Sequence, residues 1–243
     1  NAGSGNNRIS LGDGNNQVLS GDGNDNITLG YGTNVVRAGG GQNKISALGD
    51  TDIETGDQDD QIRLGDGRHV IAAGAGRNKI TVGDGQIELT SGDGADKITI
   101  GDATATISAG DGRNTIRSGD GEFNISTGKG NDNIRLGDGS GVVTAGDGTN
   151  RISAGDGVFS ITAGNGNDQI KIGDADAEVH VGEGKNRITL GEGNYVVTSG
   201  SGNDYVKLSD ATLHFTSSGG NNKLNAGDGD MIITTGAGND NIR

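Results

Sequence analysis

Residues 128–139 read GKGNDNIRLGDG. Two Gly-x-Gly turns bracket a short run in which Ile134 and Leu136 alternate with polar residues. One such loop would mean little, because short glycine motifs arise by chance. Its recurrence decides the matter. The same tile appears as GDGNNQVLS (12–20), GDGNDNITL (21–29), GDGADKITI (92–100), GDGTNRISA (146–154), GNGNDQIKI (164–172) and GEGKNRITL (182–190). Its central apolar position falls at Ile9, Val18, Ile27, Val36 and Ile45, slips by one near Leu48 to Ile53, and resumes at Ile62, Ile71 and Ile80 through to Ile242. About 27 nonapeptides fill residues 1–243 with no linker, so a single uninterrupted repeat array is expected.

A nine-residue tile cannot bury a core by itself. Alternating Ile-x-Leu describes a short strand with two side chains on one face. Gly-x-Gly describes a turn, where a missing Cβ admits positive φ. Strand and turn repeated at this period predict an all-β parallel solenoid whose coils pair at about 4.8 Å and bury apolar side chains only against their neighbours.

The composition agrees. Glycine supplies 50 of 243 residues, while Pro, Cys and Trp are absent. Only 29% of residues are hydrophobic and 2% aromatic, too little for a broad three-dimensional core. Low hydrophobicity with high charge usually signals disorder, but here the apolar residues are β-branched and regularly spaced. A net charge of −14 argues against nucleic acid or anionic membranes as partners and favours cations or basic surfaces. No apolar run is long enough to span a bilayer. The lack of Cys removes disulfides and fits export without oxidative folding.

The tiles fall into two alternating classes. Counted from the residue before the first glycine, so that Thr127 is first and Asp132 sixth, every second tile carries Asn or Asp at its sixth position: Asn7, Asp25, Asn43, Asp60, Asn78, Asp96, Asn114, Asp132, Asn150, Asp168, Asn186, Asp204, Asn222 and Asp240. The step is two tiles throughout, shortened by one position at the slip. The intervening tiles mostly carry apolar or small residues there, such as Ile87, Ala105, Phe123, Phe159 and Tyr195, under an acidic turn such as Asp84, Asp102 or Asp120. Two classes imply two short strands per coil, a coil of two tiles or about 18 residues. Because Asp and Asn also alternate with each other, a four-sided coil of four tiles, about 36 residues, is the alternative. Asn/Asp tiles usually end large (Leu29, Ile100, Leu136) and the others small (Ser20, Ala109, Ala145), as close packing across a thin interior requires.

The tiles at 20–28, 91–99, 127–135, 163–171 and 199–207 resemble the RTX (hemolysin-type) calcium-binding nonapeptide, GGxGxDxUx, and the resemblance covers the whole chain. It implies a right-handed β-roll, secretion often by type I systems, and Ca²⁺ in the turns between coils. Carried over residue by residue, it implies as metal ligands Asp25, Asp60, Asp96, Asp132, Asp168, Asp204 and Asp240, with backbone carbonyls of the glycine turns. Each Asp alternates with Asn, so each gap between coils holds one carboxylate where the family uses two. Ca²⁺ takes about six to eight oxygens and its affinity follows ligand charge, so these sites are expected to be weaker than the family's, or absent. The metal-free alternative is an Asn/Asp ladder that hydrogen-bonds the turns. Arg8, Lys44, Lys79, Arg151, Arg187 and Lys223 sit beside the Asn tiles as candidates to neutralise neighbouring Asp.

Catalysis is not expected. His69, His180 and His214 occupy different tile positions and read as isolated surface or turn residues. The carboxylates repeat identically, whereas a glycosidase pair must be unique and differently tuned. No helix follows the glycine turns to hold a phosphate. An outward row of Thr90, Ser108, Ser126, Thr144, Thr162, His180, Thr198, Thr216 and Thr234 raises ice or polysaccharide binding, but the adjacent column is irregular and charged. The reading is a structural repeat module of an extracellular or bacterial cell-surface protein: an adhesin stalk, filament, sheath or surface layer. No polar caps are visible, so a segment of a longer protein, or end-to-end stacking of copies, is expected. The alternative is a calcium-responsive folding and secretion module of a toxin or enzyme.

Overall fold

The computed structural model describes all 243 residues, Asn1 to Arg243. It is an all-β parallel solenoid without helices. Strands pair with the strand two positions along the chain, and the register steps by two tiles, as in Ile152↔Ile170↔Ile188. The step is one position shorter only at the slip, where Asn34 lies opposite Thr51. That register settles the coil at two strands and excludes the four-sided coil.

Two compact units make up the chain, Asn1–Phe123 and Asn124–Arg243. Each contains two parallel sheets. One sheet is built from the Asn/Asp tiles. Its strands are short, such as Lys79–Val82 and Lys97–Ile100 in the first unit and Arg151–Ala154, Gln169–Ile172, Arg187–Leu190 and Tyr205–Leu208 in the second. The other sheet is built from the intervening tiles. Its strands reach seven residues, as in Gly85–Ser91 and Gly157–Ala163.

The difference in length has a local cause. At Ile87 the backbone joins the ladder opposite His69 and Ala105, and the strand begins at Gly85, two residues before it. Asp96 instead donates its backbone N–H to the Asn114 side chain at 3.1 Å, so regular pairing begins only at Lys97. The core is a stack of Ile and Val columns, of which Ile98, Ile116, Ile134, Val143, Ile161, Val179, Ile188 and Val197 are fully buried. The small residues Ala73, Ala109 and Ala145 are buried with them and leave room for their larger neighbours.

Candidate functional site

The seven Asp residues implied as ligands all fall in the sixth-position column with the Asn residues between them, and all but Asp240 are fully buried. Within each unit the column alternates side-chain and backbone hydrogen bonds. Asp60 Oδ1 accepts the backbone N–H of Asn43 at 2.7 Å, and the Asp60 N–H donates to Asn78 Oδ1 at 3.0 Å. Asn78 N–H then donates to Asp96 Oδ1 at 2.7 Å. The pattern repeats in the second unit, where Asn150 N–H donates to Asp168 at 2.8 Å, Asp168 N–H to Asn186 at 3.0 Å, and Asn186 N–H to Asp204 at 2.9 Å. Asp132 N–H donates to Asn150 at 3.0 Å. Asp25 and Asp240 accept from Asn7 and Asn222 in the same way.

The second atom of each head group separates the two residue types. Asn Nδ2 turns back into the glycine loop of its own tile: Asn43 donates to the carbonyls of Gly39 and Gly41, both at 3.1 Å, and Asn150 to Gly146 at 2.8 Å. In the Asp tiles that place belongs to Oδ2, which cannot donate when ionised. Oδ2 of Asp25, Asp60, Asp96, Asp168 and Asp204 is enclosed and has no hydrogen-bond partner.

A second residue follows this alternation. Five positions before Asp stands a hydroxyl: Ser20, Thr55, Ser91, Thr127, Ser199 and Thr235. Five before Asn stands Ala in most tiles, as at Ala38, Ala73, Ala109 and Ala145. The hydroxyls of Thr55, Ser91 and Ser199 act on the carboxyls of Asp60, Asp96 and Asp204 and hold them down against burial, which pushes all three up. Their oxygens stop short of hydrogen-bond geometry, so in each pair the hydroxyl and the Asp Oδ2 are both buried without a partner. Asp168 is the exception. Ala163 stands where the hydroxyl would be, and burial pushes this carboxyl up to about 6. That the choice of hydroxyl or Ala tracks Asp or Asn escapes a tile-by-tile reading of the sequence. Alternation over four tiles was the available signal.

Calcium takes about six to eight oxygens. Each Asp brings one enclosed oxygen, the other being engaged by a backbone N–H. The Asn tile one coil away brings an amide that already donates into its glycine carbonyls. No three His, Cys, Asp or Glu side chains converge to hold a metal. The donor set does not fit a site built on two carboxylates.

The other candidates disperse. The cations beside the Asn tiles project outward; the ion pairs are Arg37 with Asp52 and Glu54, and His180 with Glu178, none of which involves the Asp column. His69, read as an isolated surface or turn residue, is corrected: it lies on the strand Gly67–Ala72. It is buried in the sixth-position column of the long-strand sheet, with Nε2 3.0 Å from the Gly65 carbonyl, where Asn34 donates to Gly30. Burial lowers its pKa. At the acidic turns, most carboxylates accept the N–H of the residue one coil on, as Asp84 does from Asp102 at 2.8 Å. The Thr row is interrupted by His180 between Thr162 and Thr198.

The family model of the RTX calcium-binding nonapeptide repeat matches in four copies, at residues 1–27, 99–134, 172–206 and 215–243, which together make just over half of the chain. No curated protein and no solved structure matches significantly. A match over that share, on a solenoid whose glycine turns recur every nine residues, makes this chain a member of the RTX calcium-binding nonapeptide repeat family.

Proposed function

We propose that the chain is a non-catalytic structural module of an extracellular protein, closed along its turns by its own side chains. The observation behind this reading is the alternating Asn/Asp column. It satisfies the backbone N–H of both residue types and, through Asn Nδ2, the glycine carbonyls. Turns held in this way do not wait for a metal to order them. Extracellular placement rests on the family, whose members are secreted, and on the absence of Cys.

The test is circular dichroism of this chain after chelator treatment, with and without added calcium. The expected result is a β spectrum and a cooperative melt in chelator. A spectrum that becomes β-rich only with calcium would replace this reading with a calcium-responsive folding and secretion module.

A further inference from the structure

The outward face of the short-strand sheet differs in charge from the rest of this acidic chain. In the second unit every strand of that face from Asn133–Arg135 to Lys223–Asn225 presents one cation and no acid: Arg135, Arg151, Lys171, Arg187, Lys207 and Lys223. The cations alternate between two columns. Arg151 lies opposite Gln169, which lies opposite Arg187, while Lys171 lies opposite Ser153 and Thr189. Like charges directly opposite one another would repel, and the alternation moves them onto diagonals of about 7–8 Å. The row ascends by one charge per coil, about 4.8 Å. None of these cations forms an ion pair. Tyr205 fills a neutral position between Arg187 and Lys223, whose charged groups lie 4.8 and 5.6 Å from its ring centre. Between the columns is a shallow depression lined by Arg135, Arg151, Ser153, Gln169 and Lys171.

The same unit carries the complementary array at its acidic turns. Asp138, Asp156, Asp174, Glu192, Asp210 and Asp228 are exposed and follow one another at one per coil. Backbone N–H groups fix several of them, since Asp156, Asp174 and Glu192 donate to the carboxylate one coil before at 2.8, 2.7 and 2.9 Å. The two arrays share one repeat because both are set by the strand spacing.

From this match we propose that the cationic sheet face binds the acidic turn edge of a second copy of this chain, side by side. A carboxylate ridge of one copy lies between the two cation columns of the next, and every coil meets a coil. A single exposed ion pair contributes little, but a commensurate row adds its pairs without loss of register. DNA, with one phosphate per about 3.4 Å along each strand, falls out of step. Face and edge are different surfaces, so the contact is head-to-tail and leaves a free face and a free edge for further copies. This extends the structural reading above and names its partner. It does not depend on how the turns are closed, so its failure would leave the chelator experiment as it stands.

Sedimentation velocity tests the proposal on the intact chain and two variants. One neutralises the face (Arg151→Gln, Lys171→Gln, Arg187→Gln, Lys207→Gln). The other neutralises the edge (Asp156→Asn, Asp174→Asn, Asp210→Asn) and keeps the Oδ1 acceptors. Circular dichroism confirms that both fold. The expected result is open-ended association of the unmodified chain at about 0.1 M salt that dissolves at about 1 M. Each variant alone loses about tenfold or more in association. Mixed, they form a one-to-one complex, because each retains the surface the other lacks. The proposal is overturned if the unmodified chain is monomeric at both salts, or if the variants associate as it does. It is also overturned if the mixture gives no complex while the face instead retains polygalacturonate, which would make an acidic glycan the occupant.

Discussion

Asp168 shows what a single buried carboxylate does in this fold. Burial raises its pKa to about 6 from an ordinary value of 3.8, and Ala163 offers no hydroxyl to oppose the shift. Below pH 4 the group is protonated whether the chain is folded or not. Between about 4 and 6 the folded chain binds more proton than the unfolded chain, so stability falls as pH rises through that window. Above 6 the charge is fully buried. At about 1.4 kcal/mol per pKa unit, the cost at neutral pH is up to about 3 kcal/mol. Asn with Ala five residues before it is the arrangement the chain uses at Ala73 and Asn78 and at Ala145 and Asn150. Asp168→Asn should therefore raise the urea unfolding free energy at pH 7 by up to about 3 kcal/mol and leave it nearly unchanged at pH 4. Ala163→Ser should recover about 1 kcal/mol at pH 7 by giving the carboxylate a donor. A loss of stability in Asp168→Asn, restricted to calcium-containing buffer, would instead mark Asp168 as a metal ligand.

At the scale of the element, the turns explain why particular glycines resist replacement. Gly148 has φ of 138°, and a Cβ added there would lie 1.8 Å from the Gly130 carbonyl oxygen one coil before. Both the left-handed backbone and the close approach of stacked turns exclude a side chain. Gly148→Ala should cost roughly 3 kcal/mol, read as a lower urea midpoint. Exposed side chains on the strands matter much less. Arg37 forks onto Asp52 at 3.0 Å and reaches Glu54 at 3.1 Å, but all three side chains are more than a third exposed. Such surface pairs contribute about 0–1 kcal/mol.

In the molecule as a whole, stability is a sum over neighbouring coils, because each coil buries its apolar residues only against the next. Ile188 is fully buried in register with Ile170 and Val206. Ile188→Ala should cost about 2–5 kcal/mol in urea unfolding. Native-state hydrogen exchange should place the lost protection on Gln169–Ile172, Arg187–Leu190 and Tyr205–Leu208 rather than evenly along the chain. Uniform loss over all coils would show a single cooperative unit in place of nearest-neighbour stacking.

The nonapeptide period by itself determined the parallel solenoid, the inward Ile and Val columns and the two classes of tile, because side-chain alternation and glycine turns are local properties. Coil length was not local. The two classes of tile pointed to a two-tile coil but left four tiles open, and the pairing of Ile152 with Ile170 decided for two. The sixth-position column was legible residue by residue, but the bond each head group makes was not. Only stacked coils bring Asn43 N–H to Asp60 Oδ1, leave Oδ2 enclosed, and set Thr55 beside it. His69 looked isolated because its tile neighbours are unlike it; the coil register places it under a turn, on the Gly65 carbonyl. Lys97 follows Asp96 in the chain, yet alternation along a strand sends the one outward and the other inward. Cations that sequence proximity assigned to the Asp column therefore gather on a face of their own, a consequence of three-dimensional register that no single tile contains.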